Sequence, residues 1–234
     1  MKICIAQTKP ATGDVNKNVE IHKKFAELAV SHNADMIIFP ELSLTGYEPT
    51  LANELATAKD DERFNELQEL SNSKQIVIGA GMPIKSDRGI LIGMIIFQPH
   101  QTRQTYFKQH IHPDEEAYFI NGPYQPTLGE KKITLAICYE ISIASHAEQA
   151  HKNGAEIYIA SVAKTAAGVK NAIETLSETA KKHSMTTLMS NCVGINDGDE
   201  CAGRSSVWNR EGNLMEQLND RDEGMIIFDT DTHK

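Results

Sequence analysis

Short runs rich in Ile and Val alternate with amphipathic helical patterns from one end of the chain to the other, and this alternation limits the fold more than any single motif does. Lys2 to Gln7 reads as a first strand. Asp14 to Ser31 reads as a helix that loads Val15, Val19, Phe25, Ala26 and Ala29 mainly on one face. Asp35 to Phe39 is a second strand, stopped by Pro40, and Asp60 to Asn72 is a short helix with Phe64, Leu67 and Leu70 at regular spacing. Gln75 to Ile84 and Gly89 to Gln98 are strands joined by a polar turn, Lys85 to Arg88, and Gln101 to Phe107 should pair with them as an antiparallel meander. After a long loop come a strand over Lys131 to Cys138, a helix over Ala144 to Asn153, a strand over Ala155 to Ala160 and a helix over Lys170 to His183. Shorter strands cover Thr186 to Asn191, Ser205 to Asn209 and Gly224 to Thr230. No repeat, low-complexity segment or Pro/Gly-rich linker divides the pattern, so one α/β domain over residues 1–234 is expected.

Charge and composition narrow the function. Thirty-two acidic residues against 23 Lys and Arg give a formal net charge of -9, which argues against nucleic-acid and anionic-membrane partners. The longest apolar stretch, Gly89 to Phe97, is far short of the roughly 20 residues a membrane span needs. The N-terminus turns polar at Thr8 and Lys9, too soon for a secretory signal, so a cytoplasmic protein is expected. Cys4, Cys138, Cys192 and Cys201 have no CxxC spacing, disulfides are not expected, and at least some of the four are expected to be free thiols. Cys4 lies inside a strand and reads as a small core residue, while Cys192 and Cys201 have no evident partner and read as structural. His110 and His112 lack a third ligand other than acids of the same loop, so no metal is expected. Gly79-Ala80-Gly81 lacks the later glycine of a dinucleotide fingerprint, there is no Walker motif, and no cofactor is expected.

Three apolar strands end in a residue that packing does not explain. Met36 to Pro40 ends in Glu41, Thr105 to Phe107 in Lys108, and Ile133 to Ile137 in Cys138. In α/β proteins reactive groups gather at strand ends, and a carboxylate, an ammonium and a thiol meeting there would be base, electrostatic stabiliser and nucleophile. Taken singly, each has a plainer reading: the first solvated residue after a strand, or a small core cysteine. On either view the Glu41 and Lys108 side chains should contribute little to the core.

Taken together, Phe39-Pro40-Glu41-Leu42-Ser43-Leu44-Thr45-Gly46-Tyr47, Tyr106-Phe107-Lys108 and Ile137-Cys138-Tyr139-Glu140 resemble the nitrilase, or carbon–nitrogen hydrolase, superfamily. Asn153-Gly154-Ala155-Glu156, Ser190-Asn191-Cys192-Val193-Gly194 and Arg204-Ser205-Ser206-Val207-Trp208 before Glu211-Gly212 extend the similarity over almost the whole chain. The resemblance implies a four-layer α-β-β-α sandwich, with Glu41 as general base, Lys108 as oxyanion stabiliser and Cys138 as nucleophile. It also implies a second carboxylate, Glu115, with Glu116 as competitor. Tyr47, Tyr139, Ala163 and Lys164 are the expected substrate contacts, Lys164 either facing a carboxylate of the substrate or simply lying in water. The substrate would be a small molecule, and members of the family commonly pair as homodimers. Two departures stand out: Ile143-Ala144-Ser145 replaces a Phe-Pro-Glu common in the family, and the chain is short. The expected reaction is cleavage of a non-peptide carbon–nitrogen bond in an amide, carbamoyl compound or nitrile through a thioester, with a small aliphatic amide favoured. The alternatives are an ammonia-supplying or acyl-transferring amidase subunit, and a non-catalytic binding module that keeps the fold.

Overall fold

The computed structural model describes residues 1–124 and 132–231, so the expected strand start at Lys131 lies outside the described residues. In chain order the elements are β1 (Lys2–Gln7), α1 (Val15–Ser31), β2 (Met36–Ile38), α2 (Ala52–Leu55), α3 (Asn65–Lys74), β3 (Val77–Ser86), β4 (Gly89–Phe97) and β5 (Gln104–Phe107). There follow β6 (Ile133–Ile137), α4 (Ala144–Lys152), β7 (Ile157–Val162), α5 (Ala166–His183), β8 (Thr186–Asn191), β9 (Val193–Asn196), β10 (Asp199–Ala202), β11 (Ser206–Trp208), β12 (Leu214–Gln217) and β13 (Gly224–Asp229). The strands make a six-stranded sheet, in the order β13-β1-β2-β3-β4-β5, and a five-stranded sheet, in the order β12-β11-β8-β7-β6, with β9 and β10 as a separate hairpin. β1, β2 and β3 are parallel, β3, β4 and β5 form the antiparallel meander, and β6, β7 and β8 are parallel.

The two sheets face each other. Ile3, Ile5, Ile38 and Met94 of the first pack in one core with Leu135, Ile137, Ile159 and Leu188 of the second. On the outer face of the first sheet, Ala26 and Ala29 of α1 and Leu67 and Leu70 of α3 cover Ile37 and Ile78. On the outer face of the second, Ala147 of α4 and Val169 and Leu176 of α5 cover Ala136, Tyr158 and Ala160. The layers therefore run α-β-β-α. Adjacent residues Ile37 and Ile38 belong to different cores, which is why the central strands read as unbroken apolar runs instead of alternating ones. Two buried hydroxyls join the sheets: Ser161 Oγ donates to Phe39 O at 2.8 Å and Ser190 Oγ to Ala6 O at 2.6 Å.

Several element bounds differ from the sequence expectation for physical reasons. The β3–β4 ladder continues to Ser86↔Gly89, so the turn is only Asp87-Arg88, and Lys85 and Ser86 are the exposed tip of a strand. The helix expected from Asp60 is a 3₁₀ turn, Glu62–Phe64, followed by α3, which ends at Gln75 in the left-handed conformation (φ 56°). α5 begins four residues early because Ala166, Ala167 and Gly168 carry no apolar periodicity to read. The exposed strand β12 and the polar hairpin β9–β10 had no pattern to reveal them.

Two glycines permit the close approaches that set the strand ends in place. A Cβ on Gly81 of β3 would stand 2.3 Å from Leu42 N and 2.8 Å from Pro40 O, the turn that carries Glu41. A Cβ on Gly122 would stand 2.8 Å from Lys108 O, to which Gly122 N–H donates at 2.7 Å. We expect Gly81→Ala to cost about 1–3 kcal/mol in denaturant unfolding, because the contact is with backbone that no rotamer change can relieve. A variant as stable as the parent would show that the turn yields freely.

Candidate active site

Glu41 lies in a tight turn after β2 that the outer helix holds from behind. Asn18 of α1 donates from Nδ2 to Ala11 O at 2.8 Å and to Leu44 O at 3.0 Å. His22 Nδ1–H donates to Asn18 O at 2.7 Å, so Nε2 accepts from the Ser43 hydroxyl at 2.9 Å, and that oxygen in turn accepts from Gly81 N–H at 3.2 Å. Burial holds the His22 imidazole neutral, with its pKa down to about 4. Leu42, directly after Glu41, has φ 50°, a left-handed conformation that bulky residues rarely adopt.

Lys108, at the end of β5, is completely buried, as Glu41 nearly is. The expectation that neither would matter to the interior was wrong, and the cause is mutual neutralisation. Lys108 Nζ donates to Glu41 Oε1 at 2.8 Å and to Glu115 Oε1 and Oε2 at 2.7 and 2.8 Å. Burial works against the Lys108 ammonium, but Glu41, Cys138 and Glu115 outweigh it and hold its pKa above the ordinary lysine value. Glu115 comes from a 3₁₀ turn, Pro113–Glu115, and is buried, whereas Glu116 is exposed. Glu115 Oε2 also accepts from His112 N–H at 2.7 Å and Oε1 from Tyr47 O–H at 2.9 Å, so both its oxygens are saturated. Glu41 differs: among the described residues its buried Oε2 has no formed hydrogen bond, and the Cys138 thiol is among the groups acting on this carboxyl. Burial raises the Glu41 pKa, with Lys108 opposing the shift.

Cys138 follows β6 at φ 45°, the start of a 3₁₀ turn, Cys138–Ser142, and is partly exposed. Burial, then the Glu41 charge, push its thiol up to about 11, against Lys164, Lys108 and a hydrogen bond from Ala163 N–H. Thus the structure brings Glu41, Lys108, Glu115 and Cys138 together, with Tyr47 on Glu115 and with Ala163 and Lys164 beside the thiol. The Tyr139 ring stands edge-on to the His112 ring, with centroids 5.0 Å apart. His110 lies edge-on to His146 at 6.4 Å, so the two histidines, two places apart in the sequence, meet different rings. Cys192 and Cys201, which showed no partner in the sequence, are both buried, and the Cys201 thiol together with burial raises the Cys192 pKa.

The sequence reading missed Glu140 as a structural key. It is wholly buried, and Oε2 accepts from Ile137 N–H at 2.7 Å and Tyr106 O–H at 2.8 Å, while Oε1 accepts from Gln109 N–H at 2.6 Å. One carboxylate therefore fastens the backbone just before Cys138 to the backbone just after Lys108. Since Tyr106 donates to Glu140, His146 Nε2–H donates to Tyr106 Oη at 2.9 Å and Nδ1 accepts from Tyr158 O–H at 2.8 Å. Its only signal in the sequence was an acid two places after the cysteine. Glu140→Gln would set an amide NH₂ against a backbone N–H, leaving a buried donor unpaired. The expected loss is about 1–3 kcal/mol in chemical unfolding, and an unchanged midpoint would show that these three hydrogen bonds carry no stability.

The chain is similar to several known proteins. It is 27% identical over 228 residues to a glutamine-dependent NAD(+) synthetase of Acinetobacter baylyi, covering 92% of this chain but only 41% of that protein's length. It is 25% identical to a 2-oxoglutaramate amidase of Bacillus subtilis, over 94% of this chain and 86% of the relative. An amidase from Nesterenkonia sp. of known crystal structure superposes with a TM-score of 0.86 over 97% of this chain and 89% of that one, at 21% identity, a likeness of fold. The family model for carbon–nitrogen hydrolases matches residues 2–234. The chain belongs to the carbon–nitrogen hydrolase family.

Proposed function

We propose that the protein hydrolyses the carbon–nitrogen bond of a small amide through a thioester on Cys138. The observation that carries this reading is the asymmetry of the two carboxylates around Lys108. Glu115 has both oxygens filled and acts as a clamp, whereas Glu41 keeps one buried oxygen open beside the thiol. A raised carboxyl pKa next to a raised thiol pKa suits a proton that passes from sulfur to Glu41 during attack, instead of a thiolate formed beforehand.

In this mechanism Cys138 Sγ attacks the amide carbonyl carbon as Glu41 Oε2 takes the thiol proton. Two of the three bonds that the Lys108 ammonium donates go to Glu115, so one N–H turns from Glu115 to the oxyanion as it forms, joined by the backbone N–H of Tyr139. Glu41 returns the proton to the departing nitrogen as the C–N bond breaks, releasing ammonia and leaving a thioester. Water then attacks the thioester carbonyl while Glu41 takes its proton, the C–S bond breaks, and the thiol recovers a proton. No histidine is required. The relative that reads as a glutamine-dependent synthetase shares this unit as less than half of its length, so ammonia supply to a partner is the second reading.

The test is ammonia release from a panel of small amides, ureido acids and nitriles. Cys138→Ala and Glu41→Gln should each lower turnover by at least about a thousandfold, and near-parental activity in either would remove the mechanism. A second test uses the titration. Burial, the largest cause of the raised Cys138 pKa, persists in Glu41→Gln although the Glu41 charge is lost, so in that variant, where no base assists, iodoacetamide should still alkylate Cys138 ever faster as the pH rises from 7 to 9. A rate already level above pH 8 would reveal a preformed thiolate.

A further inference from the structure

The Tyr47 hydroxyl fills a place beside Glu115 that the reaction itself calls for. The Lys108 ammonium has three N–H bonds and all three are taken: one by Glu41 Oε1 at 2.8 Å, and two by Glu115, at 2.7 Å on Oε1 and 2.8 Å on Oε2. None is spare, so an oxyanion receives one only if a carboxylate releases it. Glu41 is poorly placed to do so, because among the described residues its Oε2 already lacks a hydrogen bond and its Oε1 accepts from Lys108 alone. Glu115 is well placed. Each of its oxygens has a second donor, Tyr47 O–H at 2.9 Å on Oε1 and His112 N–H at 2.7 Å on Oε2, so neither is left bare when the ammonium turns.

The two second donors differ in kind. His112 acts through its backbone, while Tyr47 acts through a side chain held in place by its surroundings. Tyr47 packs against the core between the sheets, and its backbone N–H donates at 3.1 Å to Oδ1 of Asn196, a buried residue of β9. Burial, then the charges of Glu41 and Glu115, hold the phenol well above its ordinary pKa, so it remains an O–H donor. Without that hydroxyl Oε1 would depend on the ammonium alone, and turning the ammonium away from it would leave a buried carboxylate oxygen unpaired.

We propose that Tyr47 is a positioning residue whose hydroxyl keeps Oε1 of Glu115 paired as Lys108 turns one N–H from that oxygen to the oxyanion. This rests on the amide-hydrolase reading above, and it gives Tyr47 a part distinct from substrate binding. In Tyr47→Phe the ring stays and only the hydroxyl goes. There kcat for amides should fall about tenfold or more, with KM within about twofold of the parent, the pattern of an interaction made only in the transition state. Methyl methanethiosulfonate caps a thiol without a carbonyl and so without an oxyanion, and its rate with Cys138 should stay within about twofold of the parent. A raised KM with kcat kept would make Tyr47 a substrate contact, and a thiol rate that falls in step with kcat would make it a general support of the site; either overturns the proposal. A binding arm separates this from failure of the hydrolase reading. Propionaldehyde adds reversibly to the Cys138 sulfur: a C–S bond forms, the thiol proton passes to Glu41, and the former carbonyl oxygen stands where the oxyanion would. Its dissociation constant, read from protection of Cys138 against the thiosulfonate, should rise about tenfold in Tyr47→Phe even if no amide is turned over. Equal constants in the two proteins, or no protection in the parent, overturn the proposal.

Discussion

An ammonium with no exposed surface, held between two carboxylates, is the interaction around which the rest of this molecule is arranged. Taking one such ion out of water costs several kcal/mol, and only close, well-directed partners offset it. Lys108 has those partners from two separate stretches of chain, Glu41 from 67 residues earlier and Glu115 from 7 residues later. The geometry that brings them together explains features that otherwise look incidental. The outer helix spends two interior positions on Asn18 and His22 to hold the turn beyond Glu41. β3 and the loop after β5 each give up a side chain, at Gly81 and Gly122, so that backbone can lie against backbone.

The second carboxylate system works by different means. Among the described residues Glu140 has no cation within hydrogen-bonding contact; its oxygens accept from two backbone N–H groups and a tyrosine hydroxyl. That choice leaves Lys108 undisturbed while still tying the end of β5 to the end of β6. Glu41, Glu115 and Glu140 are thus three buried acids with three distinct surroundings: one with an open oxygen, one saturated by a cation and neutral donors, one saturated by neutral donors alone.

Much of this was legible in the sequence, and what was missed has a common cause. Glu41, Lys108 and Cys138 could be picked out because each interrupts an apolar run, and the run itself is visible to local inspection. That Glu41 and Lys108 would be interior could not be read, because their neutralisation is a long-range event and each one alone looks like a solvated strand end. Gly79-Ala80-Gly81 was weighed only as a nucleotide-binding fragment; its purpose is to let the Glu41 turn approach. The alternation of strands and helices gave one α/β domain and the family resemblance its four layers, but β12 and the β9–β10 hairpin were legible in neither, since Leu214–Gln217 is exposed throughout and nothing alternates. Cys192 and Cys201 looked solitary for the same reason: a hairpin whose strands were invisible brings them together.

The division of the cluster between two sheets has a consequence for the life of the chain. Glu41 and Lys108 follow strands of the first sheet and Glu115 lies in the loop beyond, all before the second sheet begins, while Cys138 follows the first strand of the second sheet. As a nascent polypeptide grows, its acids and lysine are made first and remain hydrated, and the cysteine that comes next is an ordinary thiol in water. Nothing about it is primed until the sheets close on each other and Ser161 and Ser190 reach across to the carbonyls opposite. The arrangement of Glu41, Lys108, Glu115 and Cys138 therefore needs both halves of the sandwich to have met.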